Sequence, residues 1–266
     1  MKKKAGKSEK KSARSTIDAD EVHQFDSLSG QWWDETGALK SLHRLNPVRV
    51  EYLRRQICAR FHRDTTEAAP LGGLRIVDIG CGGGLVAEPL CRLGAVVTGV
   101  DAGDKSINAA KTHARRQKLN IDYKVTTAEQ LAAKGEKFDA VIALEILEHV
   151  SDPALFLSSC CKLAGKNGIL VLSTLNRTPK SFMLGIVAAE YLLHWAPKGS
   201  HDWRKFVRPS EIVRPLAQEG FEPVNISGIV YDPLLRRFGI SEKDIDVNYF
   251  LTAVRKSEVR SRRPET

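Results

Sequence analysis

The chain has 266 residues, 42% of them hydrophobic, and a formal net charge of +9. That is enough apolar material for one large globular domain, and the charge points at first to an anionic partner. Its distribution argues against a nucleic-acid-binding body: residues 1–16 carry +6 and residues 255–266 carry +3, so residues 17–254 are neutral. Residues 1–17 and 256–266 read as polar, disordered, solubilising tails around a single domain over 18–255. The five cysteines, Cys58, Cys81, Cys91, Cys160 and Cys161, are odd in number and lack C-x-x-C spacing. They fit a reducing compartment and give no support for a zinc site. The lysine-rich start lacks the apolar core of a secretory signal, and Glu9 makes it a poor mitochondrial presequence. No run is long enough to span a bilayer: Phe182–Trp195, the most apolar, is short and contains Glu190.

In chain order, residues 18–70 form a helical preface. Val22, Phe25, Leu28, Trp32 and Trp33 recur at roughly helical spacing. A second helix is expected from Pro47 to about Phe61, with Asn46 as its cap. After a polar loop over 63–73, short Val- and Ile-rich runs alternate with longer amphipathic segments. The runs are Leu74–Ile79, Ala95–Val100, Ile121–Val125, Phe138–Leu144 and Ile169–Ser173. That alternation predicts an α/β fold, a mostly parallel sheet with helices on both faces. Residues 174–210 read as an insertion after the fifth strand, and Tyr249–Arg255 as a further strand, at an antiparallel edge.

The stretch IVDIGCGGGL, from Ile76, places a glycine-crowded turn directly after the first strand. In a doubly wound sheet this is the switch-point turn, where ligands sit at the carboxyl ends of the strands. Glycines there admit unusual dihedrals and close approach to the backbone. Gly80 and Gly82 satisfy two positions of a dinucleotide fingerprint, but Leu85 fills the third; no Gly-Lys-Ser/Thr follows, so a P-loop is absent. The pattern Asp78, Gly80, Gly82, Gly84 is closer to the turn that holds S-adenosylmethionine, with Asp78 near the ligand's ammonium group. Asp101 ends the second strand, 21 residues after Gly80, where a carboxylate can bind ribose hydroxyls. Leu144, at the end of the fourth strand, can pack on the adenine or the methionine chain. Together these features resemble the class I, Rossmann-like methyltransferase fold, whose sheet has seven strands.

LEILEHV sets Glu145, Glu148 and His149 at i, i+3 and i+4, one face if the segment is helical. Two carboxylates and an imidazole are plausible ligands for a divalent ion. They also offer a general base, best filled by His149, since imidazole titrates near neutrality. A bland alternative has Glu148 and His149 capping the next helix or pairing with lysines.

From about Phe25 to Arg255 the chain resembles the ubiquinone biosynthesis O-methyltransferases. The resemblance is carried by FDSLSGQWWDETGALKSLHRLNPVR, DIGCGGG, GVDA, LEILEHV, STLNRTPKS, PKGSHDWRKF and DVNYFL. It implies methylation of a hydroxyl on polyprenylated catechol or demethylubiquinol intermediates. It also implies S-adenosylmethionine at Arg49, Gly80, Asp101 and Leu144, and a divalent metal such as Mg2+ at Glu145, Glu148 and His149. Glu145 and His149 are then the catalytic candidates, with His149 either ligand or base. A metal chelated by adjacent catechol oxygens would lower the phenol pKa from about 10. His201, Asp202 and Trp203 are weaker candidates for lining the substrate site. The lipid substrate class implies a peripheral enzyme, on the cytoplasmic side of an inner membrane or on the mitochondrial matrix face. An anionic lipid surface and a biosynthetic complex are the expected partners. Residues 181–195 read either as an interfacial helix or as an ordinary core-covering one. Competing readings are a methyltransferase for a soluble molecule or for carbon, a dinucleotide oxidoreductase, and a silent lipid-binding subunit. The missing third glycine weighs against the oxidoreductase, and the intact motifs against the silent subunit.

Overall fold

The computed structural model describes residues 15–184 and 202–256. Helix α1 (Ala19–Ser27) starts at Asp18, whose side chain accepts from the Asp20 amide. A short 3-10 turn over Ser29–Gln31 follows and delivers Trp32 into the body of the protein. Thr16, which the composition assigns to the tail, is 3% exposed, and its hydroxyl donates to Glu129 at 2.5 Å.

Helix α2 runs from Lys40 to Phe61, beginning well before Pro47, which lies inside it. The apolar face explains the extension. Leu42, Leu45, Tyr52, Leu53 and Ile57 recur at helical spacing on both sides of the proline, and that burial outweighs the missing N–H. Asn46 does not cap the helix; its side-chain amide donates to the Leu85 carbonyl at 2.6 Å and ties α2 to the end of the glycine turn.

The alternating part of the chain builds the sheet. Strands β1 (Arg75–Ile79), β2 (Val96–Asp101), β3 (Asp122–Val125), β4 (Phe138–Leu144) and β5 (Ala164–Leu175) pair in parallel, β1 lying between β2 and β4. Helices α3 (Ala87–Arg92), α4 (Asp104–Arg116), α5 (Ala128–Ala133) and α6 (Pro153–Leu163) connect them. A single turn, α7 (Pro179–Ser181), follows β5; α8 (Pro209–Gln218) precedes β6 (Phe221–Asp232), β7 (Arg237–Ser241) and β8 (Asn248–Arg255). The order is β3-β2-β1-β4-β5-β8-β6-β7, eight strands where seven were expected. The eighth, β7, is the outer arm of a hairpin with β6. Strand β8 is antiparallel as expected, but it lies between β5 and β6, not at an edge. Its residues Tyr249, Phe250, Leu251 and Ala253 are fully buried, which an edge strand would not need.

Alternation along the strands makes two cores. Ile76, Ile142 and Val171 face Leu53 and Ile57 of α2, Leu90 of α3 and Ile107 of α4. Val77, Val141 and Leu172 face Leu131 of α5, Phe156 and Leu157 of α6 and Ile212 of α8. Each fully buried aliphatic side chain contributes about 1.5–3 kcal/mol relative to exposure. The strand order reverses between β1 and β4, so a crevice opens beyond their carboxyl ends.

Candidate active site

That crevice is a 770 Å³ cavity. Asp78, Gly80, Gly82, Asp101, Leu144, Glu145, Glu148, His149 and Arg49 all border it. The strand ends and α2 therefore gather the expected site residues around one space.

Gly80 has φ 71°, Gly82 φ 50° and Gly84 φ 91°, a left-handed run that L side chains rarely adopt. The expected clearance for a ligand is only part of their reason. A Cβ on Gly80 would collide with Ile146, and one on Gly82 or Gly83 with the Trp32 ring. The protein's own side chains thus press against the turn from one side, while Gly80 and Gly82 border the cavity. Trp32 is fixed there by its indole N–H, which donates to Ser106 at 3.2 Å, and Trp33 donates to the Gly83 carbonyl at 3.0 Å.

Asp101 accepts from the Gly82 amide at 3.0 Å and from the Gly103 amide at 2.8 Å, bracing the turn. Burial raises its pKa, against those two donors. Asp78 is 3% exposed, and its Oδ2 has no hydrogen-bond partner among the described residues. Burial first, then the charge of Asp101, pushes its carboxyl up to about 7. An orphaned buried carboxylate oxygen at the glycine turn fits an ammonium group brought by a ligand. The cavity wall beyond Asp101 is made by Ala102, Thr126, Thr127, Ala128 and Glu129, at the end of β3 and the start of α5. Sequence reasoning passed over these residues, which carry no motif of their own. The set fits S-adenosylmethionine: Asp78 for the ammonium, Asp101 for the ribose, and Leu144 with the β3–α5 wall for the apolar parts.

Glu145, Glu148 and His149 do not share one helical face. Glu145 sits at the end of β4 with φ 54°, held by its amide, which donates to the Ser173 carbonyl at 2.9 Å. Leu147–His149 is a 3-10 turn. All three still border the same cavity, each with its own partner. Glu145 pairs with Arg49 at 2.5 Å and accepts from the Asn248 amide at 2.9 Å. Glu148 is 4% exposed and accepts from Thr174 at 2.7 Å; burial raises its pKa, while the neighbouring imidazole lowers it. The Nδ1 of His149 faces Glu21 on α1 at 3.0 Å, and its ring lies edge-on to Phe25. Among the described residues no group of three His, Cys, Asp or Glu is placed to hold an ion. In this arrangement the donors expected for a metal each have a protein partner: Arg49 for Glu145, Thr174 for Glu148 and Glu21 for His149.

Three partners of the site were not found from the sequence. Glu21, Thr174 and Asn248 lie far along the chain from the groups they hold. Glu21 also binds Lys205 at 2.8 Å, so α1 is clamped between His149 and the segment that precedes α8. Of the weaker candidates, Asp202 caps the 3-10 turn Trp203–Lys205, and Trp203 donates to the Thr178 carbonyl at 2.9 Å. Both hold a loop and neither borders the cavity. His201 lies outside the described residues, as does most of 181–195.

The description "Methyltransferase domain" matches residues 77–172. A ubiquinone biosynthesis O-methyltransferase of Dinoroseobacter shibae is 49% identical over 90% of this chain and 97% of its own length. One of Rhizobium rhizogenes is 48% identical over 91% and 98%. The chain belongs to the ubiquinone biosynthesis O-methyltransferase family. Among solved structures, the magnesium protoporphyrin IX methyltransferase of Synechocystis PCC 6803 with bound S-adenosylmethionine superposes with a TM-score of 0.59. It is 20% identical, over 91% of this chain and all of the other, a likeness of fold. The expected class, an S-adenosylmethionine-dependent O-methyltransferase with a Rossmann-like sheet, is the class that these relatives carry. No helix among the described residues is long and apolar enough to cross a membrane.

Proposed function

We propose that this family member methylates a hydroxyl of a polyprenylated catechol or quinol, with His149 taking the hydroxyl proton. The observation that carries the reading is the lining of the cavity. Asp78, Asp101 and His149 share its wall with the apolar side chains of Leu42, Leu45, Ile229, Val230, Pro233 and Leu184. Polar groups beside a broad apolar lining suit a ring with a hydrocarbon tail.

Bound S-adenosylmethionine supplies a methyl group already activated on sulfonium, so the protein's task is positioning and proton removal. The substrate oxygen attacks the methyl carbon, and the sulfur keeps the electron pair of the broken C–S bond. The hydroxyl proton passes to Nε2 of His149. Glu21 at Nδ1 keeps the other ring proton in place and steadies the imidazolium that forms. Arg49 and Asn248 hold Glu145 at the cavity wall, where it is positioned to orient the ring hydroxyls. The metal assistance that the resemblance implies is not part of this reading. It would require Glu145, Glu148 and His149 to leave the partners they have here.

The test is methylation of a short-prenyl catechol by the purified protein, read as O-methyl product. His149→Ala should lower kcat by about 10²–10⁴-fold while S-adenosylhomocysteine binding is retained. A loss of only a few-fold would remove His149 from the proton step. No product from well-folded protein that binds S-adenosylhomocysteine would sink the substrate class. Repeating the assay with chelator, then with added Mg2+, reports whether the three donors rearrange during turnover.

A further inference from the structure

A set of contacts outside the cavity braces the glycine turn. Glu88, in the first turn of α3, is 2% exposed, and its amide donates to the Gly84 carbonyl at 3.0 Å. Its side chain reaches across to α4, where Oε1 lies 2.7 Å from Nδ1 of His113. A carboxylate only accepts, so Nδ1 is the donor, and the contact gives a buried charge the partner it needs. Oε2 faces Arg92 at 3.6 Å. The His113 ring lies flat on the indole of Trp33, with centroids 3.5 Å apart and planes 9° from parallel. Trp33 in turn donates to the Gly83 carbonyl. The contacts close a loop that runs from Gly84 through Glu88, His113 and Trp33 back to Gly83. Glu88, His113 and Trp33 do not border the active-site cavity, so any effect on a ligand there passes through the turn.

Trp33 needs such a hold. It is half-buried, and the open groove beside it is bordered by Ser29, Lys105, Asn108, Thr112 and Arg116. An indole at the edge of that groove has room to swing away from Gly83. His43 of α2 meets it only edge-on, at 6.3 Å between centroids. The flat contact is the one made by His113, whose own ring is fixed by Glu88.

We propose that His113 is a positioning residue for the cofactor. It holds Trp33 on the Gly83 carbonyl and so keeps the glycine turn in the shape that seats S-adenosylmethionine. This role depends on the cofactor lying at the turn and is independent of which hydroxyl is methylated.

The experiment is calorimetric titration of the full chain and its variants with S-adenosylhomocysteine. In His113→Gln the side-chain amide can still donate to Glu88, so the buried carboxylate keeps a partner while the aromatic plate is lost. The dissociation constant should rise roughly three- to tenfold, the worth of one aromatic stack. Trp33→Phe, which loses the N–H, should show a rise of similar size. The double variant should bind no more weakly than the weaker single one, because both changes break the same link. In turnover, His113→Gln should raise KM for S-adenosylmethionine and leave kcat in place. A stacked imidazole quenches indole emission, so the same substitution should brighten tryptophan fluorescence, except in the Trp33→Phe background. Unchanged affinity in His113→Gln, or rises that multiply in the double variant, overturns the proposal. If the wild type binds S-adenosylhomocysteine and the variants weaken as expected but no catechol is methylated, the substrate reading fails and the role of His113 stands.

Discussion

Asp78 and Asp101 stand at the carboxyl ends of neighbouring strands and play different parts. Asp101 spends its oxygens on two backbone amides and so shapes the turn. Asp78 keeps one oxygen without a partner, under burial that favours its neutral form. With its carboxyl pushed up to about 7, the folded protein holds a proton there that the unfolded chain, near the usual 3.8, has lost. Ionised Asp78 therefore weakens the fold progressively as pH rises from about 4 to 7, and a bound ammonium relieves that cost. Binding should follow the same group with the opposite sense. Affinity for S-adenosylhomocysteine should be level above about pH 8 and fall toward tenfold per pH unit below 7. Asp78→Asn should bind weakly at every pH without that slope. Calorimetric titration from pH 5.5 to 8.5 checks both; a flat wild-type profile would take Asp78 out of cofactor recognition. That both aspartates border one cavity was legible in the sequence, because their spacing from Gly80 lies within one strand–helix–strand unit, β1–α3–β2. Glu21 was not legible as the partner of His149, since 128 residues separate them and no short-range pattern joins two such positions.

Among the elements, the glycine turn and the preface that contains α1 and α2 form one assembly. Trp32 lies across Gly82 and Gly83, and Asn46 and Trp33 are bonded to backbone carbonyls of the same turn. Gly83→Ala should therefore push the indole out of place although the backbone there needs no left-handed residue. The expected cost is about 1–3 kcal/mol, as for other overpacked sites. It would appear as a lower melting temperature and a changed near-ultraviolet circular dichroism signal from tryptophan. An unchanged melt would mean that Trp32 swings aside freely. The sequence spacing predicted a helix around Trp32 and Trp33, but α1 stops at Ser27 and a 3-10 turn carries the chain inward. Spacing records which side chains are buried and says less about whether one helix or two short elements bury them. The start of α2 was misplaced for a related reason. Proline at a first helical turn is common, so Pro47 looked like a beginning, whereas the apolar face continues across it.

The described residues form one eight-stranded sheet with a core on each face, its switch point opening onto the 770 Å³ cavity. Ligand in that cavity touches β1, β2, β4 and the preface at once, so binding should stabilise the domain as a unit. At a hundred times its dissociation constant, S-adenosylhomocysteine should add about 2.7 kcal/mol. For a chain of this size that raises the melting temperature by roughly 5–10 °C. Differential scanning calorimetry at several ligand concentrations checks it, and Asp101→Ala should show a much smaller rise. A rise equal in the mutant would place the ligand elsewhere.

The alternation of Val- and Ile-rich runs with amphipathic segments, the Asp-led glycine turn and the acid at the end of the second strand are short-range signals. They specify a doubly wound sheet and its cofactor edge because each lies within one or two consecutive elements. The register of β8 is a different kind of fact. Nothing local tells an edge strand from one inserted between β5 and β6; that depends on which surfaces remain unpaired when the rest has folded. The same holds for Glu145, Glu148 and His149. Their spacing suggested one helical face, but the backbone leaves the strand through a left-handed residue into a 3-10 turn, and each side chain takes a long-range partner of its own. Motif chemistry is written along the chain, whereas the partners that orient it are chosen by packing.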